Sequence, residues 1–202
     1  MRADGGSTAR GWAAGVLTFG VVLAGLWAVG PFHIPSDSMR DTLLPGDYVL
    51  VARWAYGVRL PGTGLWPRPP RAPRRGDLVV FRTADRPGED VVKRCIAVAG
   101  QTVEIRDRRV VVDGDTLREP YARHSDATVH ARDYDARDNF GPVTLERGEV
   151  FVLGDNREDS EDSRFLGPVR EEDVVGRALL VYWSWDGARG RPRWERLLRR
   201  VH

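Results

Sequence analysis

Three short segments of the chain carry residue types that could do chemistry. The first is Ile34-Pro35-Ser36-Asp37-Ser38-Met39, where two serines lie between apolar residues. A serine hydroxyl is a weak nucleophile until a base takes its proton, and without a base serines in such a place are ordinary turn residues. The second is Val91-Val92-Lys93-Arg94-Cys95-Ile96, whose lysine stands alone: of 31 basic residues, 30 are arginine. Lysine can give up its proton near neutral pH when desolvated, which arginine cannot. An apolar strand interior would drive an ammonium pKa down from about 10.4 toward neutrality, so Lys93 is a candidate base, set against the bland reading of one more strand charge. Arg94 should project to the opposite face of the same strand, as a surface charge or in a structural ion pair. The third segment is Gly154-Asp155-Asn156-Arg157-Glu158-Asp159-Ser160-Glu161-Asp162-Ser163-Arg164. Read blandly it is an acidic turn with local Asx-type bonds. As a calcium loop it lacks the glycine and terminal glutamate of an EF-hand and mixes arginines among its carboxylates.

These segments need elements to position them, and past residue 35 the chain offers short β-branched runs separated by Gly, Pro and Asp. Strands are expected at Tyr48 to Ala52, Asp77 to Phe81, Val91 to Val98, Thr102 to Arg106, Val110 to Val112, Val150 to Leu153 and Val174 to Trp183, a mainly β domain over 33–185. Arg106-Asp107-Arg108-Arg109 reads as a hairpin connection and Asp113-Gly114 as a tight turn. A hairpin and loop-rich insertion is expected over about 106–145, an irregular basic loop over 61–75, and a basic tail over 186–202 with a short helix around Trp194 to Arg200.

Ahead of the β domain, residues 11–32 form an uncharged run of 22 residues, long enough as a helix for the ~30 Å hydrocarbon core. Arg2 and Arg10 precede it, which favours a short cytoplasmic N-terminus (1–10), a single-pass anchor in the plasma membrane and a domain outside. Ala28-Val29-Gly30 supports a competing reading as a cleavable leader. A net charge of +2 gives no argument for a nucleic-acid partner. Cys95 is the only cysteine and the four histidines follow no H-E-x-x-H pattern, which excludes a disulfide framework and argues against a metal centre. No cofactor is expected.

In this order the three segments resemble the bacterial type I signal peptidases, membrane-bound Ser/Lys endopeptidases that remove signal peptides from exported preproteins. Further landmarks are Gly46-Asp47, Arg75-Gly76-Asp77, Glu119-Pro120-Tyr121, Phe140-Gly141-Pro142-Val143 and Gly167. The resemblance implies Ser38 as nucleophile and Lys93 as general base. It implies an oxyanion hole from the Ser36 hydroxyl and the Ser38 N–H, Ser160 orienting the lysine, Asp162 and Arg164 bracing the site as an ion pair, and Asp155 in support. Phe32, Ile34, Leu43 and Val91 would line apolar pockets for small residues before the cut. Implied partners are signal peptides, membrane lipid and the export machinery. The family usually has proline where this chain has Asp41, and Gly, Pro and Asp where it has Ala97, Ala99 and Gln101. Two other readings share the motifs or the anchor: a maturation peptidase dedicated to one substrate, and a non-catalytic membrane-anchored β binding module.

Overall fold

A computed structural model describes residues 28–57, 71–83, 88–131 and 135–202. The β-branched runs become strands in it: β1 (Val29–His33), β2 (Asp47–Ala52), β3 (Leu78–Arg82), β4 (Asp90–Val98), β5 (Thr102–Arg106), β6 (Arg109–Val112), β7 (Asp115–Thr116), β8 (Phe140–Thr144), β9 (Glu149–Leu153), β10 (Val169–Arg170), β11 (Val174–Asp186), β12 (Arg191–Pro192) and β13 (Arg199–Arg200). The seven expected strands lie within one residue of their expected limits, except that β11 continues to Asp186.

One sheet of nine strands runs in the order β1-β2-β11-β3-β4-β9-β10, with β12 and β13 added along β11. A four-stranded sheet, β7-β6-β5-β8, is built by the insertion. β11 is 13 residues long and pairs with both β2 and β3. Bulges at Ala178/Leu180 and Val181/Trp183 break its register against β2, and such bulges bend and twist a strand. β4 is buried from Val92 to Ala97; that continuous run fits a strand covered on both faces rather than one with a wet side. Apolar side chains pack in three clusters. One joins Ile34, Met39 and Leu43 to Val49, Val80 and Val92; one joins Val79, Cys95 and Val152; the third joins Ile96, Val103, Val110 and Phe151.

Both predicted turns are present. Arg106 pairs with Arg109 and Val112 is followed by Asp113 and Gly114, with positive φ at Asp107 (47°), Arg108 (69°), Asp113 (53°) and Gly114 (90°). Two consecutive positive φ values match the twist of a two-residue hairpin.

Three expectations need correction. The uncharged run 11–32 lies outside the described residues up to position 27, and its last residues, from Val29, are strand rather than helix. Pro31 is tolerated there because β1 is an edge strand, which can spare an N–H. Among the described residues no helix is long and apolar enough to cross a membrane. Within the insertion, Phe140–Thr144 is a strand whose Val143 pairs with Val103 and whose Phe140 ring lies 5.3 Å from that of Phe151; Gly141 and Pro142 hide it from a propensity reading. The C-terminal segment is no free tail. It forms β12, a 3-10 turn at Trp194–Arg196 and β13, and Arg196 and Val201 are buried. Most of the basic loop 61–75 lies outside the described residues.

Candidate active site

Between β1 and β2 the chain leaves the sheet and returns, and the two ends of this loop are bonded together. The Ile34 N–H donates to the Asp47 carbonyl at 2.8 Å and the Gly46 N–H to the Ile34 carbonyl at 2.9 Å. Gly46 has φ +87° and its Cα faces the Trp185 carbonyl, so a side chain at this position would collide with backbone. Inside the loop, Thr42 and Leu43 donate to the Met39 carbonyl at 3.1 and 2.7 Å, making one tight turn directly after Ser38. The Ser36 and Ser38 hydroxyl oxygens are 3.2 Å apart.

The loop is held from the other side by the residues after β9. The Asn156 N–H donates to the Ser38 carbonyl at 3.0 Å and its side-chain amide to the Asp37 carbonyl at 3.1 Å. Gly154 leaves the room for this approach, because a Cβ there would overlap the Ser160 side chain and the Ser38 carbonyl. Thr42 donates its hydroxyl to Asp155 at 2.6 Å, and the Arg94 guanidinium grips the same carboxylate through Nε at 2.7 Å and Nη2 at 2.6 Å. Arg94 is 2 % exposed and its guanidinium lies 3.8 Å from the Tyr121 ring centre. Of the two readings open for Arg94, the structural ion pair is the one present, with Asp155 in support.

Lys93, on the opposite face of β4, is 3 % exposed. Val79 is its cross-strand partner, and Val91 and Cys95 flank it on the same face by the two-residue alternation of a strand. Ser160 lies beyond β9, its hydroxyl donating to Asp162 at 2.7 Å. Asp162 also accepts from the Gly154 N–H at 2.9 Å and from Arg164 Nε at 2.8 Å, and it caps the single helical turn Ser163–Leu166. Burial pushes the Asp162 carboxyl up, but the Arg164 guanidinium, the Gly154 N–H and the Ser160 hydroxyl hold it below the usual carboxylate range. It therefore stays ionised. Arg164 fills out its bonds on the Arg157 and Arg137 carbonyls at 2.7 and 2.8 Å.

Ser36, Ser38, Lys93 and Ser160 open on one cleft of about 590 Å³, whose apolar wall includes Phe32, Ile34 and Val91. Leu43 does not line it: fully buried, it packs in the core with Met39 and Val49. The cleft thus brings hydroxyl groups and a buried amine against an apolar wall, an arrangement suited to acyl transfer with the amine as proton carrier.

The departures from the family pattern have local partners of their own. Asp41 sits at φ 77°, a value closed to proline, and its carboxylate meets Arg123 at 3.1 Å. Gln101 accepts from the Val98 N–H at 3.1 Å and donates to Asp113 at 2.9 Å, closing the turn after β4 with its side chain. Gly154, Asn156 and the buried pair Arg157–Glu119, 2.6 Å apart, have no role legible in the sequence, although Gly154-Asp155-Asn156 and Glu119-Pro120-Tyr121 stand among its motifs.

Residues 9–183 match the family described as "Signal peptidase, peptidase S26". The chain belongs to that family. Among S26 relatives it is 33 % identical over 196 residues to signal peptidase I of Pseudomonas aeruginosa, covering 83 % of this chain and 69 % of that protein. With signal peptidase I P of Bacillus subtilis subsp. natto it shares 30 % identity over 160 residues, 79 % of this chain and 80 % of the other. A crystal structure of a signal peptidase I from Enterococcus faecalis aligns with a TM-score of 0.44 and 33 % identity, over 53 % of this chain and 97 % of that one. The S26 match spans all three sequence segments that carry the candidate chemistry and ends before β12.

Proposed function

We propose that this S26 peptidase removes signal peptides from exported preproteins through an acyl-enzyme on Ser38, with Lys93 as its general base. The observation that carries the proposal is that the only lysine of an arginine-rich chain is buried in the wall of the cleft onto which Ser38 opens. In this reading the neutral Lys93 amine takes the Ser38 proton as Oγ attacks the scissile carbonyl. The developing oxyanion takes hydrogen bonds from the Ser38 N–H and the Ser36 hydroxyl. The lysine returns its proton to the leaving amine, and water, deprotonated by the same amine, then cleaves the ester. Ser160, its hydrogen committed to Asp162, keeps oxygen lone pairs with which to orient the lysine. Asp162 and Arg164 brace that loop.

Phe32, Ile34 and Val91 would form the pockets before the cut, and small residues fit them because a bulky side chain in a filled apolar site costs about 1–3 kcal/mol. Residues 11–28 would be the membrane anchor. As a helix they rise about 27 Å, close to the ~30 Å of the hydrocarbon core. Arg2 and Arg10 argue for a cytoplasmic N-terminus and an extracytoplasmic cleft, with lipid at the anchor and the basic loop and the export machinery supplying the preprotein. The decisive experiment is cleavage of a model preprotein with Ala before the cut by wild type and by Ser38→Ala. Cleavage by wild type alone, at that bond, is the expected result; equal cleavage by the variant overturns the assignment of Ser38.

A further inference from the structure

We propose that the C-terminal strap, residues 187–202, positions the Ser38 loop through Arg196, an inference that rests on Ser38 being the nucleophile. The strap follows β11 and folds back over its end. Arg196 is 5 % exposed and its guanidinium binds both oxygens of Asp47, Nε at 2.9 and 3.1 Å. Asp47 is fully buried and also accepts from the Leu44 N–H at 2.8 Å. Arg196 Nη2 donates to the Thr42 carbonyl at 3.1 Å, and Arg193 Nη1 to the Pro45 carbonyl at 3.0 Å. Arginine's planar fork suits this task, since it binds a carboxylate in bidentate fashion and keeps a further N–H for a carbonyl.

Thr42 is where two supports meet. Its carbonyl is held by Arg196, its hydroxyl by Asp155, and its N–H by Met39, the residue after Ser38. The strap therefore reaches Ser38 through Thr42 and Met39, while residues 154–156 hold the same loop through the Thr42 hydroxyl and the Asp37 and Ser38 carbonyls. Without Arg196 the Thr42 carbonyl loses its donor and Asp47, left with the Leu44 N–H, loses its guanidinium. A shift of the loop by an ångström moves Ser38 Oγ against Lys93 and the oxyanion donors, a displacement that costs rate far more than it costs affinity.

The test uses the full chain in detergent, with two readouts: kcat and KM on a model preprotein, and the rate at which Ser38 is acylated by a small chromogenic ester. Arg196→Gln should lower kcat and the acylation rate by on the order of tenfold or more, with KM changed by less than about twofold. Arg196→Lys, which restores the charge without the fork, should recover part of the loss. A folded Arg196→Gln protein with wild-type kcat and acylation, or one that loses only thermal stability, overturns the proposal. If Arg196→Gln does not fold, Arg193→Gln carries the test: its partly exposed side chain holds only the Pro45 end, and a drop in kcat of about threefold is expected, against an unchanged kcat that overturns it. A wild type that is acylated at Ser38 but leaves the preprotein intact would overturn the substrate reading alone, with the strap still judged on the ester. A wild type inert to both reagents overturns both.

Discussion

Lys93 and Arg94 are neighbours on β4, both basic residues, both almost without exposure, and the two faces of the strand treat them differently. Arg94 points to a face where every feature fixes a charge: a carboxylate gripped at two points, a ring against the guanidinium plane, and the Gly76 carbonyl at 3.1 Å. Lys93 points among Val79, Val91 and Cys95 and onto the cleft of Ser38. A permanently charged group is useful where geometry must be held, and a group able to lose its proton is useful where one must be carried. One strand, by its two-residue alternation, presents a lysine to one face and an arginine to the other within a single step of the chain.

The sharpest way to break this comparison is to make the two residues alike. Lys93→Arg keeps a basic side chain of similar bulk but removes the only lysine amine, so we expect a folded protein whose kcat on a preprotein falls by on the order of 10³-fold or more, matching Ser38→Ala. Thermal unfolding supplies the folding control. Near-normal turnover would remove Lys93 from the chemistry, because a mere strand charge in a chain of 30 arginines should accept one more.

On the other face the expected loss is in stability. Asp155→Ala leaves Arg94 buried without its carboxylate and Thr42 without its acceptor, and breaking a buried pair from one side costs about 3–5 kcal/mol. Urea unfolding of the variant measures it. A cost under about 1 kcal/mol, the value of a surface pair, would mean that water reaches Arg94 and that the two faces differ less than their burial implies.

This division was only half legible in the sequence. Local signals carried seven of the thirteen strands, since period-two and continuous apolar runs are properties of a few adjacent residues, and likewise the two-residue turns at Asp107 and Asp113. The solitary lysine beside an arginine was visible for the same reason. What could not be read were the partners that the fold brings from afar: Asp155 lies 61 residues from Arg94, and Arg196 lies 149 from Asp47. The tail reads only as basic, with a short helix around Trp194 to Arg200, because its main contact is one buried guanidinium, Arg196, on a carboxylate far back in the chain. Leu43 shows the converse error. An apolar residue near Ser38 looks the same whether it lines a pocket or fills the core, and only depth separates the two.

A smaller effect sharpens the lysine side. Ser160 gives its hydrogen to Asp162 and can act on Lys93 only by orienting it, so Ser160→Ala should slow acylation without abolishing it, by about 10- to 100-fold. Single-turnover acylation kinetics separate this from substrate binding. A wild-type rate would leave Ser160 as a structural ligand of Asp162, and complete loss would make it a proton carrier.

The smallest expected effect concerns acid, and it follows from which partner of each buried ion pair can change. The arginines stay charged at any pH of interest; the carboxylates do not. Asp162 is held below its usual range as described, and Asp138 titrates at about 2, because the Arg137 guanidinium, the His130 N–H and the Arg108 guanidinium outweigh the burial that would raise it. A carboxyl whose folded pKa lies below its unfolded value of about 3.8 adds stability that is complete above that value and is lost as pH falls through the folded pKa. Stability should therefore be level above about pH 5 and decline from about pH 4 toward pH 2, with Asp138 contributing on the order of 2 kcal/mol to the decline. Asp138→Asn should be less stable than wild type at pH 7 and should lose less on acidification, so that the two urea-unfolding curves converge near pH 2. Parallel curves would show that the Asp138 pair is solvated, and would leave Asp162 as the acid-labile contact of the fold.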